Sequence, residues 1–423
     1  MISFWQIFWL ELKSLTRSKT LAMLTAGSAV WMLVFPLLAK GDGTEAGARE
    51  MLVHFSLGGV FVLTLVVLLA SATGSIAAER TARRLQLTLV RPVRYVSVVV
   101  GKGLAHVAAG ALVLALAAAM LSLRVDLSRP CQHVLSPVLP SPQEEAKEMY
   151  EAYMKDPETP ESVKKTKKEI LLRLLAQRAL DHYQTVPTNA PTAWRFSGVG
   201  NRTGRADGLA VRMRFTNQME MRQDVVGVFR LGTLSGVVSN MTQAVLEIPL
   251  EVSRAPQASQ DLQVLSFENQ GRSALMLRPR KDLNLLVRAD SFLANLLRAY
   301  VGLVSVLAAV IAIGLFLSAS LGRPVALFVA LVLLIVGEMS PSVIAQYPDA
   351  LETDLGDRIG LAITRFAAEV TRPVSAASPL EALAKDECVE AEEVARLALT
   401  DLLAFPLALA FLSAFVLPRK QEI

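Results

Sequence analysis

Long apolar runs alternate with polar stretches along the chain, and their lengths divide it. Met51–Ala78 and Gly103–Leu123 contain no Asp, Glu, Lys or Arg. At a rise of about 1.5 Å per residue, a helix of either length crosses a hydrocarbon core of about 30 Å. Similar runs cover about Thr20–Ala39, Val301–Leu321, Pro324–Ala345 and Asp401–Leu417. The pattern therefore predicts six transmembrane helices. Gly58, Gly59 and Gly74 in the second run, and the many Ala and Gly of the third, suit close helix approach in lipid.

Residues 1–19 place Phe4, Trp5, Phe8, Trp9, Leu12 and Leu15 mostly three or four apart, with Lys13, Arg17 and Lys19 toward the end. This reads as an amphipathic helix in the membrane interface, its aromatics at headgroup depth. The alternative is an ordinary membrane-proximal helix. The charged start is long and lacks a clear cleavage site, so an uncleaved anchor is expected rather than a signal peptide.

Residues 124–291 contain no span. Pro130, Pro137, Pro140 and Pro142 keep the first part extended. Residues 143–184 are helical in pattern, broken at Pro157 and Pro160, with Ile170, Leu171, Leu174, Leu175 and Leu180 expected on one side. Residues 192–290 change texture. TAWRFSGV, LAVRMRFT, DVVGVFRL, AVLEIPLEV, DLQVLSFEN, SALMLRP and LNLLVRA read as short strands separated by Gly, Asn, Pro and charged turns. Strands at this spacing predict a β-sandwich.

The expected organisation is thus an interfacial helix (1–19), spans 1–3 (20–123), an α+β domain (124–291), spans 4–5 (292–345), an acidic segment (346–397), and span 6 with its tail (398–423). The fold class is an α-helical polytopic membrane protein with six transmembrane helices and an extracytoplasmic α+β domain containing a β-sandwich.

Composition agrees. Only 19% of residues are charged and mean hydropathy is +0.42, against about 25% charged for soluble domains. Residues 79–102, between spans 2 and 3, hold six Lys/Arg against one Glu, which marks that loop as cytoplasmic. Six spans put both termini on the same side. The resulting cytoplasmic pieces carry 12 Lys/Arg and 3 acids, while 346–396 carries 11 acids against 5 bases and falls outside. An inner (cytoplasmic) membrane location is expected, with 124–291 extracytoplasmic. The bases cluster beside the spans, so membrane lipid or a cytoplasmic partner explains them better than nucleic acid.

Catalytic and cofactor motifs are scarce. Gly101-Lys102 is followed by Gly103 rather than Ser or Thr, and Val96 stands where a phosphate-binding loop needs its first Gly. Gly198, Gly200 and Gly204 miss dinucleotide spacing by one residue. No Cys/His spacing resembles a metal site. The expectation is no enzyme activity, no catalytic residue and no metal or cofactor in this chain. Glu338 lies in an apolar run and is a candidate intramembrane polar site, or else reaches the outer interface. Cys131 and Cys388, the only cysteines, fall on the same outer side in this topology, each near a span; they are a candidate disulfide or two unrelated thiols.

Residues 79–102, ERTARRLQLTLVRPVRYVSVVVGK, resemble the loop between the second and third spans of ABC-2 type transporter permeases. Glu79, Leu85, Leu87, Leu89, Pro92, Val93, Arg94, Gly101 and Lys102 stand where that family places its Glu, leucines, Pro-Val-x-Arg and Gly-Lys. Arg83-Arg84 replaces the usual Gly-Thr, which bears on where the helix bends. The six-span layout and the outer insert are similar to a subset of the family, so the resemblance covers the membrane parts and says little of 124–291. It implies an ATPase-coupling role for these residues. It also implies a permease that pairs with a second, identical or related permease and binds separate ABC ATPase subunits, which hold the ATP and Mg. Transport or mechanical transmission follows, with an extracytoplasmic partner or substrate at the outer domain. The leucines could seat in a groove on the ATPase, with basic flanks steering it; insertion into the lipid interface is the plainer reading. A non-transporting, membrane-anchored binding or scaffold protein is the alternative function.

If Cys131 and Cys388 pair, the chain migrates faster on a gel without reductant than with it, and Cys131→Ser abolishes the difference. Identical migration of the two forms would rule the pairing out.

Overall fold

The computed structural model describes residues 4–38, 45–82, 94–127, 130–139, 141–155, 160, 167–188, 190–197, 209–215, 224–232, 234–241, 245–252, 262–346, 360, 362, 364–369, 371 and 379–419. The chain forms two compact units: one from Met1–Arg129 and Ser291–Ile423, the other from Pro130–Asp290.

The first unit is helical. Helix α1 spans Phe4–Arg17 and α2 spans Lys19–Leu38. Ser18 sits between them and caps α2, its Oγ accepting from Leu21 N at 3.2 Å. Helix α3, Glu45–Leu52, runs through a π-turn at Val53–Leu57 into α4, Gly58–Thr81. The charges of Lys40–Glu50 suggest a short polar turn; of that stretch, the described residues 45–50 are helical, because the segment is mostly Ala, Glu, Arg and Met, all good helix formers. Helix α5 is Tyr95–Ser122.

After the second unit, α9 (Phe292–Ser320) and α10 (Arg323–Gln346) follow, then α11 (Pro379–Ala384) and α12 (Ala391–Leu397). A second π-turn, Ala398–Ala404, leads into α13, Phe405–Arg419. Among the described residues five helices are long and apolar enough to cross a membrane: Lys19–Leu38, Gly47–Thr81, Tyr95–Ser122, Phe292–Ser320 and Ala391–Phe415. The expected fifth span coincides with α10, whose apolar helix, Arg323–Gly337, falls short of that length. The protein is a polytopic helical membrane protein with a separate β-rich region.

Helix α9 is the axis of this unit. It is buried along most of its length, and α4, α5, α10, α11 and α13 pack around it. Leu303, Leu307 and Ile311 join Leu68, Ala72, Val113 and Ala117 in one apolar cluster. Gly110 makes the contact close: a Cβ there would lie 2.4 Å from Leu307 and 2.7 Å from Leu68. In lipid there is little hydrophobic drive to join helices, so tight packing of this kind must hold them.

Among its described residues the second unit carries α6 (Pro142–Lys155), α7 (Lys168–Gln184), a one-turn α8 (Pro279–Asp282) and eleven strands. Strands β3 (Pro191–Ser197), β9 (Leu262–Asn269), β5 (Asp224–Leu231), β6 (Leu234–Met241) and β8 (Glu251–Val252) form one sheet in that order. Strands β1 (Pro130–Leu135), β11 (Leu283–Ser291), β4 (Leu209–Arg214) and β7 (Val245–Pro249) form the other, and β2 (Thr185–Val186) pairs with β10 (Leu275–Met276). Period-two alternation sends Trp194, Phe196, Phe229 and Phe267 of the first sheet into the same buried cluster as Val211, Met213, Leu283 and Leu285 of the second. Phe229 and Phe267 stack with ring centres 4.3 Å apart.

All seven strand segments expected from the pattern are present. β1, β2 and β6 are additional, and AVLEIPLEV divides into β7 and β8. β6 hides its alternation because Gly236 occupies an inward place, where a Cβ would come within 2.8 Å of Ile248. Helix α7 corrects another expectation. Leu171, Leu175 and Ala179, spaced by four, are buried and the first two meet Ala146 of α6, whereas Ile170 and Leu174 are exposed. Leu180 lies outside the described side chains.

Asn295 fastens the end of the helical unit at which α9 begins. It is fully buried on α9, donates to Glu387 O at 2.7 Å and accepts from Val389 N at 2.7 Å. Arg49 of α3 pairs with Asp386 in the same segment. Asn295→Ala removes both bonds and leaves the buried Val389 N–H without this acceptor, a loss of about 1–3 kcal/mol. The expected outcome is a lower thermal melting point in detergent; an unchanged one would show that the segment is held otherwise.

Candidate functional site

Three helices meet where α4 ends and α5 begins. On α4, Ser71, Ser75 and Glu79 recur every fourth residue; on α5, Lys102 and His106 do the same. Residues four apart share a helix face, so each helix lays a polar stripe inside an apolar run. Helix α1 closes the third side. Its Ile7, Phe8 and Leu15 are buried, and the last two pack on Ala105 and Ala109. Small residues at Gly101, Ala105 and Ala109 form the groove; a Cβ on Gly101 would crowd Ile7 at 3.1 Å. Trp5 and Trp9 face outward from α1, 58% and 62% exposed.

Glu11 of α1 thereby reaches the polar stripes. The Lys102 ammonium, 4% exposed, donates to Glu11 Oε2 at 2.8 Å, Glu79 Oε1 at 2.9 Å and Ser75 Oγ at 3.0 Å. All three of its protons are used. Ser75 Oγ in turn donates to Glu11 Oε1 at 3.0 Å. One turn along α5, His106 is fully buried, with Nδ1 2.9 Å from Lys102 O and Nε2 3.1 Å from Ser71 Oγ. The knot holds two carboxylates against one ammonium. Burial pushes the Glu11 carboxyl up, but the adjacent Lys102 charge outweighs it and holds Glu11 below the ordinary glutamate value.

A second tie lies beside it. Arg80 donates to Ala319 O at 2.9 Å and Leu321 O at 3.1 Å, placing a guanidinium on the carbonyl end of α9, where the helix dipole favours a cation. Ala77 N donates to Ser318 Oγ at 3.0 Å. The end of α4 is therefore bound to α1, α5 and α9 together.

Of the coupling residues expected from sequence, Glu79 and Lys102 are brought into contact. Gly101 lies against Ile7 of α1, and Arg94 precedes α5, its carbonyl accepting from Ser97 N at 2.9 Å. Arg83, Arg84, Leu85, Leu87, Leu89, Pro92 and Val93 lie outside the described residues, as does the side chain of Glu338. Both Cys131 and Cys388 are disulfide-bonded and neither is a free thiol. Among the described residues no group of three or more His, Cys, Asp or Glu is placed to hold a metal ion. Sequence reading missed Glu11, Ser71, Ser75, His106 and Arg80. The every-fourth-residue polar stripe on α4 and α5 was the available signal; the partnership with Glu11 needed the fold.

No family model, curated protein or solved structure matches the chain.

Lys102→Met leaves two carboxylates facing each other without their cation. Breaking a buried pair from one side costs about 3–5 kcal/mol, so the melting point falls sharply, and Lys102→Arg restores part of it. For pH the sign follows from the lowered Glu11. Its contribution is complete above the ordinary value of 4.5 and is lost as pH falls through the lower folded value. Melting curves against pH check this: Glu11→Gln flattens the acid limb, and an unaltered limb would remove Glu11 from the knot.

Proposed function

We propose that the chain is the permease subunit of an ABC-2 type transporter, which passes the work of a separate ATPase into its own membrane helices. Loop 79–102 faces the cytoplasm in this reading, both termini lie on that side, and residues 124–291, a β-sandwich with two helices, stand outside. Six spans, an identical or related partner permease and two ATPase subunits complete the assembly. ATP and Mg belong to the ATPase chains.

One observation carries the proposal. Glu79 and Lys102, the two ends of the motif that resembles the family's coupling loop, are joined at 2.9 Å, with Glu11 of α1 on the same ammonium at 2.8 Å. A push on the intervening loop reaches α4 and α5 as one body rather than splaying them. Arg80 carries the same push to the end of α9. A coupling element needs this property: rigid attachment to several spans at once. A chain that served only as an anchor would have no use for it.

The proposal is tested by copurifying the tagged permease with its cognate ATPase. Leu87→Asp or Pro92→Asp puts a charge into the expected apolar contact. Loss of an interface anchor costs about 2 kcal/mol or more, so recovered ATPase drops by about tenfold or more, and permease-dependent stimulation of hydrolysis drops with it. Unchanged copurification and unchanged stimulation would overturn the coupling assignment and favour the scaffold reading.

A further inference from the structure

Span Ala391–Phe415 is interrupted by the π-turn Ala398–Ala404, and Asp401 sits inside that turn. Asp401 is 2% exposed. Its Oδ1 lies 2.7 Å from Thr400 Oγ1, which also reaches Arg396 O at 3.0 Å, while Oδ2 is buried with no hydrogen-bond partner among the described residues. The π-turn packs on α9, which is buried along most of its apolar length, and Val394 and Leu397 of the preceding helix are themselves buried. Charged or titratable groups on the packed elements are few. Helix α9 carries Arg298 and Tyr300, α12 carries Glu392, Glu393 and Arg396, and α13 carries none before Arg419. The Tyr300 hydroxyl is committed to Ala111 O at 3.0 Å.

A carboxylate so placed would hold a full charge in an apolar interior on one hydroxyl bond. The desolvation of that charge costs more than one bond returns. The same atoms are at rest if Oδ1 carries a proton: it is donated to Thr400 Oγ1, the Thr400 proton goes to Arg396 O, and Oδ2 is left a neutral carbonyl oxygen. We propose that Asp401 is an intramembrane proton site, occupied in this conformation, and that the π-turn is the element that releases it. A π-turn holds one residue more than the α-helical register. Converting it to α-helix turns the flanking segment by about 100° about the helix axis, which carries Asp401 off its buried face and lets the carboxyl ionise. The step is a simple acid dissociation: the O–H bond breaks, the electron pair stays on Oδ1, and the proton leaves to water. No oxidant or cofactor is involved. This inference does not depend on the proposed ATPase coupling.

Infrared spectroscopy of the full chain in lipid nanodiscs at neutral pH tests it. The expected result is a carboxylic C=O band that Asp401→Asn removes and Asp401→Glu shifts in frequency. Because Asn keeps the shape and the Thr400 bond, its melting point stays within a few degrees of wild type. A wild-type spectrum without a carboxylic band overturns the proposal without recourse to any variant. So does a band identical in wild type, Asp401→Asn and Asp401→Glu. ATPase copurification measured on Asp401→Asn remains at the wild-type level, which separates failure here from failure of the coupling assignment.

Discussion

The ammonium of Lys102 is the constraint on which the helical unit depends. A cation with so little exposure survives only if every proton is received, and its three acceptors come from two other helices. That requirement fixes the rotation of α4 and α5 about their axes. It also fixes where α1 lies, since Glu11 must reach the same point. Apolar packing supplies contact area along the helices, but many rotations would bury similar area. The ionic knot admits few.

The knot and the α9 axis divide the work. Packing around α9 rests on small residues such as Gly110 and Gly314, which bring backbones close enough for dispersion to count. The densest polar fastening among the described residues lies toward the two ends of the unit, with single bonds such as Tyr300 to Ala111 O between helices elsewhere. At one end Lys102 and Arg80 bind the helix termini; at the other Asn295 binds the chain around Glu387. Between them the helices touch mostly through apolar surface, which slides more readily than hydrogen bonds break. An end-fastened, smooth-sided bundle suits motion in which whole helices shift.

Much of this was legible in the sequence. Uncharged runs located the helices, and alternation located seven strands. What failed had local causes. Helix α3 looked polar because its charges are helix formers as well as turn residues. Strand β6 was hidden by Gly236. The stripe on α7 was assigned by counting all leucines, although Ile170 and Leu174 project away from α6. In the site, Glu79 and Lys102 could be named from the loop motif. Glu11 could not, because nothing in its own helix reveals a partner 91 residues away. Asp401 was read as the first residue of a span rather than as a group within one, since no pattern announces a π-turn.

The groove at Gly101, Ala105 and Ala109 gives α1 a double life. One side of this helix is keyed into α5, and its other side offers Trp5 and Trp9 to the surroundings. Indole rings prefer the depth of lipid headgroups. Were the bilayer to thin or stretch, the tryptophans would follow the headgroups while Glu11 stayed latched. Stress in the surrounding lipid would then arrive at the buried ammonium of Lys102.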